Sequence, residues 1–134
     1  MSVEFYGDEQ NPTAIVIRAA TRISGIEFFS PPSFSQQIGL MSRPKGYRVL
    51  PHTHNEVVRT ILYTQEVLFV RQGECKVSIY DASKKLVNEI LLVTGDTILL
   101  ASGGHAIEML KDTEILEVKQ GPHLGSKDKT YLEL

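Results

Sequence analysis

The stretch EVLFVRQGECKVSIYD, residues 66–81, decides how this chain is read. Before Gly73, alternation groups Glu66, Leu68 and Val70; after it, alternation groups Cys75, Val77 and Ile79. Successive side chains of a strand point to opposite faces, so two period-two runs joined by a glycine read as strand, turn, strand. The same texture extends in both directions. Upstream lie TAIVIR (13–18), GIEFF (25–29), QIGLMS (37–42), GYRVLPHTH (46–54) and VVRTILY (57–63). Downstream lie LVNEILL (86–92), DTILLA (96–101), HAIEML (105–110) and TEILEVKQ (113–120). Turn chemistry punctuates them at DASKK (81–85), TGD (94–96), SGG (102–104) and KDT (111–113). No stretch carries a sustained 3.6-residue apolar period. The expectation is an all-β domain of about ten short antiparallel strands arranged as a sandwich or barrel, over residues 1–134, with a polar tail at 121–134.

Composition excludes several function classes. With 134 residues, the chain suits one domain with one core. Lys and Arg total 14 and Asp and Glu 16, with no basic stripe, so a nucleic-acid surface has no support. No run approaches the roughly 18 apolar residues of a membrane helix, and the N-terminal residues lack the apolar core of a secretory signal. Cys75 is the single cysteine, which suits a reducing compartment, so a cytoplasmic location is expected. No phosphate-cradling glycine loop, Gly-x-Ser-x-Gly elbow or Cys-x-x-Cys pair is present.

Four residues carry candidate chemistry. On a strand over 46–54, His52 and His54 project to one face together with Arg48 and Leu50. Two imidazoles so placed suit adjacent ligands of one transition metal, or equally two surface histidines flanking Pro51. Glu66 opens an apolar strand, and alternation turns it inward with Leu68 and Val70. A buried carboxylate is costly unless it is paired or ligates a metal; at the start of its strand, it is alternatively solvated. His105 follows SGG and alternates with Ile107 and Met109. His123, in the polar tail, reads as a surface residue, and Cys75 as a small buried hydrophobe.

These spacings resemble the cupin superfamily. Its first motif is matched by Gly46, five residues, His52-Thr53-His54, and by Glu66, six residues, Gly73. The gap between His54 and Glu66 is eleven residues, longer than the motif's three or four. Its second motif is matched in part: Gly95 is followed by five residues and then Ala101-Ser102-Gly103, with His105 one residue early. The resemblance covers about residues 37–120 and implies a cupin jelly roll with a ligand cavity in its mouth. It also implies that His52, His54, Glu66 and His105 ligate a divalent metal: Fe, Mn, Zn or Ni. A vaguer similarity, carried by GGHAIEML and EVKQGPHLG, is to stand-alone cupins beside bacterial polysaccharide enzymes.

Around such a site, Arg48 is a candidate clamp for a substrate carboxylate or phosphate, or a rim residue. Arg59 and Tyr63 are candidate cover residues on the long hairpin, or plain loop residues. Glu117 and Lys119 read as a solvated or dimer-facing side, and Phe69 with Val67 as part of a subunit contact in a homodimer. The resemblance implies a small polar ligand, sugar- or acid-like. Metal-dependent isomerisation, epimerisation, decarboxylation or dioxygenation, non-catalytic binding, and metal-free acid–base use of the histidines all stay open.

Overall fold

The computed structural model describes residues 2–133. Ten strands follow in order: β1 Val3–Gly7, β2 Pro12–Ile17, β3 Gly25–Phe28, β4 Gly39–Ser42, β5 Glu66–Gln72, β6 Glu74–Tyr80, β7 Leu86–Val93, β8 Thr97–Leu100, β9 Gly104–Met109 and β10 Glu114–Lys119. One short 3-10 turn, Gly125–Asp128, lies in the tail. All strand pairing is antiparallel. The strands form a five-stranded sheet in the order β1-β2-β8-β5-β10, a three-stranded sheet in the order β7-β6-β9, and the hairpin β3-β4. None of the sheets closes into a barrel.

The two larger sheets face each other across the main core. β2 contributes Ala14 and Val16, β5 Leu68 and Val70, and β8 Ile98 and Leu100. The opposing sheet contributes Cys75, Val77 and Ile79 from β6 and Ile90 and Leu92 from β7. The alternation read on either side of Gly73 is therefore the inward face of both strands, with Cys75 wholly buried as a small hydrophobe. A second cluster covers the opposite face of the five-stranded sheet. There Ile15, Ile17 and Leu99 pack with Ile38, and Phe29, Phe34 and Leu40 lie against them. This explains why β2 and β8 read as unbroken apolar runs: each buries both faces.

Residues 46–54 and 57–63, expected as strands, are not strands. The chain from β4 to β5 is an exposed arm, in which every residue from 43 to 64 is open to solvent. Its base turns where the Tyr47 amide donates to the Pro44 carbonyl at 3.1 Å, and the Arg43 guanidinium sits 4.4 Å over the Tyr47 ring. Its far end is tied down. The Gln65 amide donates to Gln120 Oε1 at 2.6 Å, Gln65 Oε1 accepts the Gln36 amide at 3.0 Å, and the Thr64 hydroxyl donates to Asp128 at 3.1 Å. The reason the arm is not sheet is pairing: β-type composition makes a strand only where an edge receives it, and the arm has no partner strand among the described residues. Conversely β1, not expected from sequence, exists because VEFYG pairs with β2, with Phe5 opposite Ile15.

Candidate functional site

Two of the four candidate ligands meet. Glu66 is the first residue of β5, on the face of Leu68 and Val70, which are buried in the main core. His105 is near the start of β9, two residues before Ile107, which packs on the same core. The inward direction expected for both follows from this alternation. His105 Nε2 lies 3.6 Å from Glu66 Oε2, so the pair spans one end of the sandwich between its two sheets. At that length the contact is looser than an ordinary hydrogen bond. The Glu66 side chain is 13% exposed and that of His105 33%, leaving the pair sheltered on the carboxylate side and open on the imidazole side.

The electrostatics favour an ionised carboxylate. The His105 imidazole beside it holds the Glu66 carboxyl below the usual carboxylate range, against burial that raises it, and the charges of Lys119 and Lys129 push the same way as His105. Lys119 is directly opposite Glu66 in the β5–β10 register, and Glu117 is opposite Leu68. Residues directly opposed in antiparallel strands share a face. Glu117 and Lys119 therefore lie on the core-side face, whereas Leu116 and Val118 point outward, about half exposed, opposite Phe69 and Val67. Glu117 is exposed on this edge strand, as expected of a solvated side, and Lys119 is half-buried beside Glu66. Lys119 is the site residue that sequence reasoning missed. Its signal lay in pairing with Glu66, which the strand's own pattern does not carry.

The other two candidate ligands stand apart. His52 and His54 lie on the exposed arm, not side by side on a strand. Their ring centroids are 5.3 Å apart at 62°, and His52 Nδ1 donates to the Leu50 carbonyl at 2.7 Å. Among the described residues, no three His, Cys, Asp or Glu side chains gather closely enough to hold one ion. Within one chain the four donors thus form two pairs, and they do not fit a single metal centre.

The candidate substrate residues divide too. A shallow recess of about 350 Å³ opens between the end of the arm and the body, lined by Phe34, Ile61, Tyr63, Gln65, Ala101 and Ser102 among others. Tyr63 is one of its walls; Arg48 and Arg59 are exposed on the arm and are not. His123 is exposed in the tail.

Comparison of the chain with protein-family models, curated proteins and solved structures gave no match. No helix among the described residues is long and apolar enough to cross a membrane.

Proposed function

We propose that this chain is a small cupin that binds a divalent transition metal and a small polar ligand, sugar- or acid-like, at the end of its sandwich marked by Glu66 and His105. One observation carries the reading: a carboxylate and an imidazole, from different sheets and both on core-facing positions, meet at 3.6 Å at the start of their strands. An acidic residue on that face is costly unless it is partnered. Lys119 beside it supplies positive charge suited to an anionic or strongly polar ligand. Under this reading the fold is a jelly roll, Glu66 and His105 supply two metal donors, and Tyr63 covers the adjacent recess. Metal-dependent isomerisation, epimerisation or dioxygenation and non-catalytic ligand binding are both served by such a site, because the fold hosts either role.

Elemental analysis of protein purified without added metal tests the reading. The expected result is about one Fe, Mn, Zn or Ni per chain, since imidazole and carboxylate donors suit that group of ions. Glu66→Gln loses the ion, whereas Glu56→Gln on the exposed arm keeps it. A wild-type chain with only trace metal, and none taken up on addition, ends the reading.

The Glu66–His105 contact also favours a second reading. A carboxylate set against an imidazole orients it for proton transfer, so the pair would serve as acid and base without a metal. Ligand turnover that persists in excess chelator and disappears in His105→Asn distinguishes this case.

A further inference from the structure

We infer that the C-terminal tail is a strap: residues 128–132 cross one end of the sandwich from sheet to sheet, close over Glu66, and lift to admit a solute to the Glu66–His105 pair. As a device that regulates that site, the strap rests on the binding reading above; its closure over Glu66 stands on geometry alone.

The tail is held at three places, each beside one member of the pair. As the chain leaves β10, Gln120 Oε1 accepts the Gln65 amide and Gln120 Nε2 donates to Ser35 Oγ at 2.8 Å. Gln65 directly precedes Glu66. After the 3-10 turn the chain returns to the same point, where the Thr64 hydroxyl, two residues before Glu66, donates to Asp128 Oδ1 at 3.1 Å. The third hold is on the other sheet. Gly104 directly precedes His105 on β9, and a Cβ there would come within 2.8 Å of Leu132 Cδ1 and 3.6 Å of Leu132 Cγ. The Leu132 side chain therefore fills the notch that a side chain at position 104 would take. Among residues 121–133, Asp128 and Leu132 alone are not exposed.

Asp128 is thus fixed at the start of β5 and Leu132 at the start of β9, so the backbone between them runs over the gap that Glu66 and His105 span at 3.6 Å. The reach fits. Four steps of extended chain cover up to about 14 Å, and stacked sheets lie about 10 Å apart. Lys129, which follows the 3-10 turn, has extended backbone, with φ −127° and ψ 146°. Its charge is felt at Glu66, where it adds to the pull that lowers the carboxyl. The shelter falls on that side too, since Glu66 is the less exposed member of the pair.

Little holds the strap down. Its two far holds are one solvent-exposed hydrogen bond and one leucine, and no residue of the tail belongs to either hydrophobic cluster. Segments with few buried apolar contacts and exposed hydrogen bonds open locally while the rest of a fold stays intact. Lifting needs no movement of the sheets. It carries Lys129 away from the carboxylate and leaves Lys119, directly opposite on β10, in place.

Carbodiimide coupling of glycine ethyl ester, read residue by residue from peptide masses, tests the closure. In the wild-type chain Glu66 reacts slowly and Glu56, on the exposed arm, reacts fast. Thr64→Val/Leu132→Asp releases both far holds and raises Glu66 labelling about fivefold or more, as a cover of low opening cost requires. Glu56 labelling, β-sheet dichroism and the thermal midpoint stay unchanged. Thr64→Ser/Leu132→Met keeps both contacts and the wild-type rate. Glu66 labelling that does not rise in the released variant overturns the strap and leaves the binding reading standing. A release that abolishes the β-sheet dichroism overturns it too, because the tail is then part of the packing. Labelling that rises on release in a chain that takes up no added Zn(II) supports the closure and counts against the metal reading alone.

Discussion

Asp96 shows how much one side chain organises here. It is 2% exposed, and its carboxylate accepts the Ala19 amide at 2.9 Å, the Val93 amide at 2.9 Å and the Arg18 guanidinium at 3.1 Å. Arg18 in turn reaches Glu4 at 2.7 and 2.9 Å and donates to the Leu91 carbonyl at 2.6 Å. One guanidinium thereby ties β1, the segment after β2, β7 and the turn into β8. Removing the carboxylate leaves the Ala19 and Val93 amides without their acceptor, at about 1–3 kcal/mol for each buried group left unsatisfied, while Arg18 keeps Glu4. Asp96→Ala is therefore expected to lower unfolding free energy by about 3 kcal/mol, read from urea denaturation at neutral pH. A loss below about 1 kcal/mol would show that water replaces the carboxylate without penalty. Acid sensitivity belongs to the same scale. The Arg18 guanidinium holds the Glu4 carboxyl below its usual range, as His105 does for Glu66. The folded chain therefore binds these protons more weakly than the unfolded chain. Their contribution to stability is complete above the unfolded glutamate pKa of about 4.3 and disappears as pH falls through the lowered folded-state values. Urea midpoints measured from neutral pH downward should fall across that window. The double variant Glu4→Gln/Glu66→Gln should fall less steeply, and an identical slope would refute the assignment.

At the scale of the element, Gly73 joins the sheets by letting β5 turn directly into β6. Its φ is +113°, and a Cβ there would come within 2.5 Å of both the Asp112 carbonyl oxygen and the Thr113 hydroxyl. Gly73→Ala is expected to cost about 1–3 kcal/mol, seen as a lowered thermal midpoint. Gly46→Ala is the contrast: φ is +89°, but nothing lies within 4 Å, so only the dihedral penalty applies. Equal losses would mean that crowding at Gly73 relaxes away. Strands of clear alternation were legible, and 66–72, 74–81 and 86–92 match observed strands to within a residue or so, whereas β1 was not. The arm was not, because VVRTILY and GYRVLPHTH report an appetite for pairing and say nothing of whether an edge is available. The facing of β10 was not legible either. EILEVK carries apolar residues on both sides, and only its register with β5 turns Ile115, Glu117 and Lys119 toward the core side. Glu66 and His105 were legible for the opposite reason: each precedes core residues of clear alternation by two positions. The separation of His52 and His54 from them follows from the arm, which no local pattern specified.

The whole molecule is knitted from its two ends. In the five-stranded sheet, β1 and β2 come from before the arm and β8, β5 and β10 from after it, with β2 hydrogen-bonded to β8 from Ala14–Leu100 to Ile17–Thr97. Both hydrophobic clusters mix residues from the two sides: Val16 with Leu68 in one, Ile38 with Leu99 in the other. The covalent link across residues 43–64 contributes no strand to this union and no residue to either core. The peptide bond between Asn55 and Glu56 is thus dispensable for holding the halves together. Made as two separate polypeptides that meet at that bond, the chain should reassemble on mixing into a split protein with native β-sheet dichroism, each piece serving as the template the other needs.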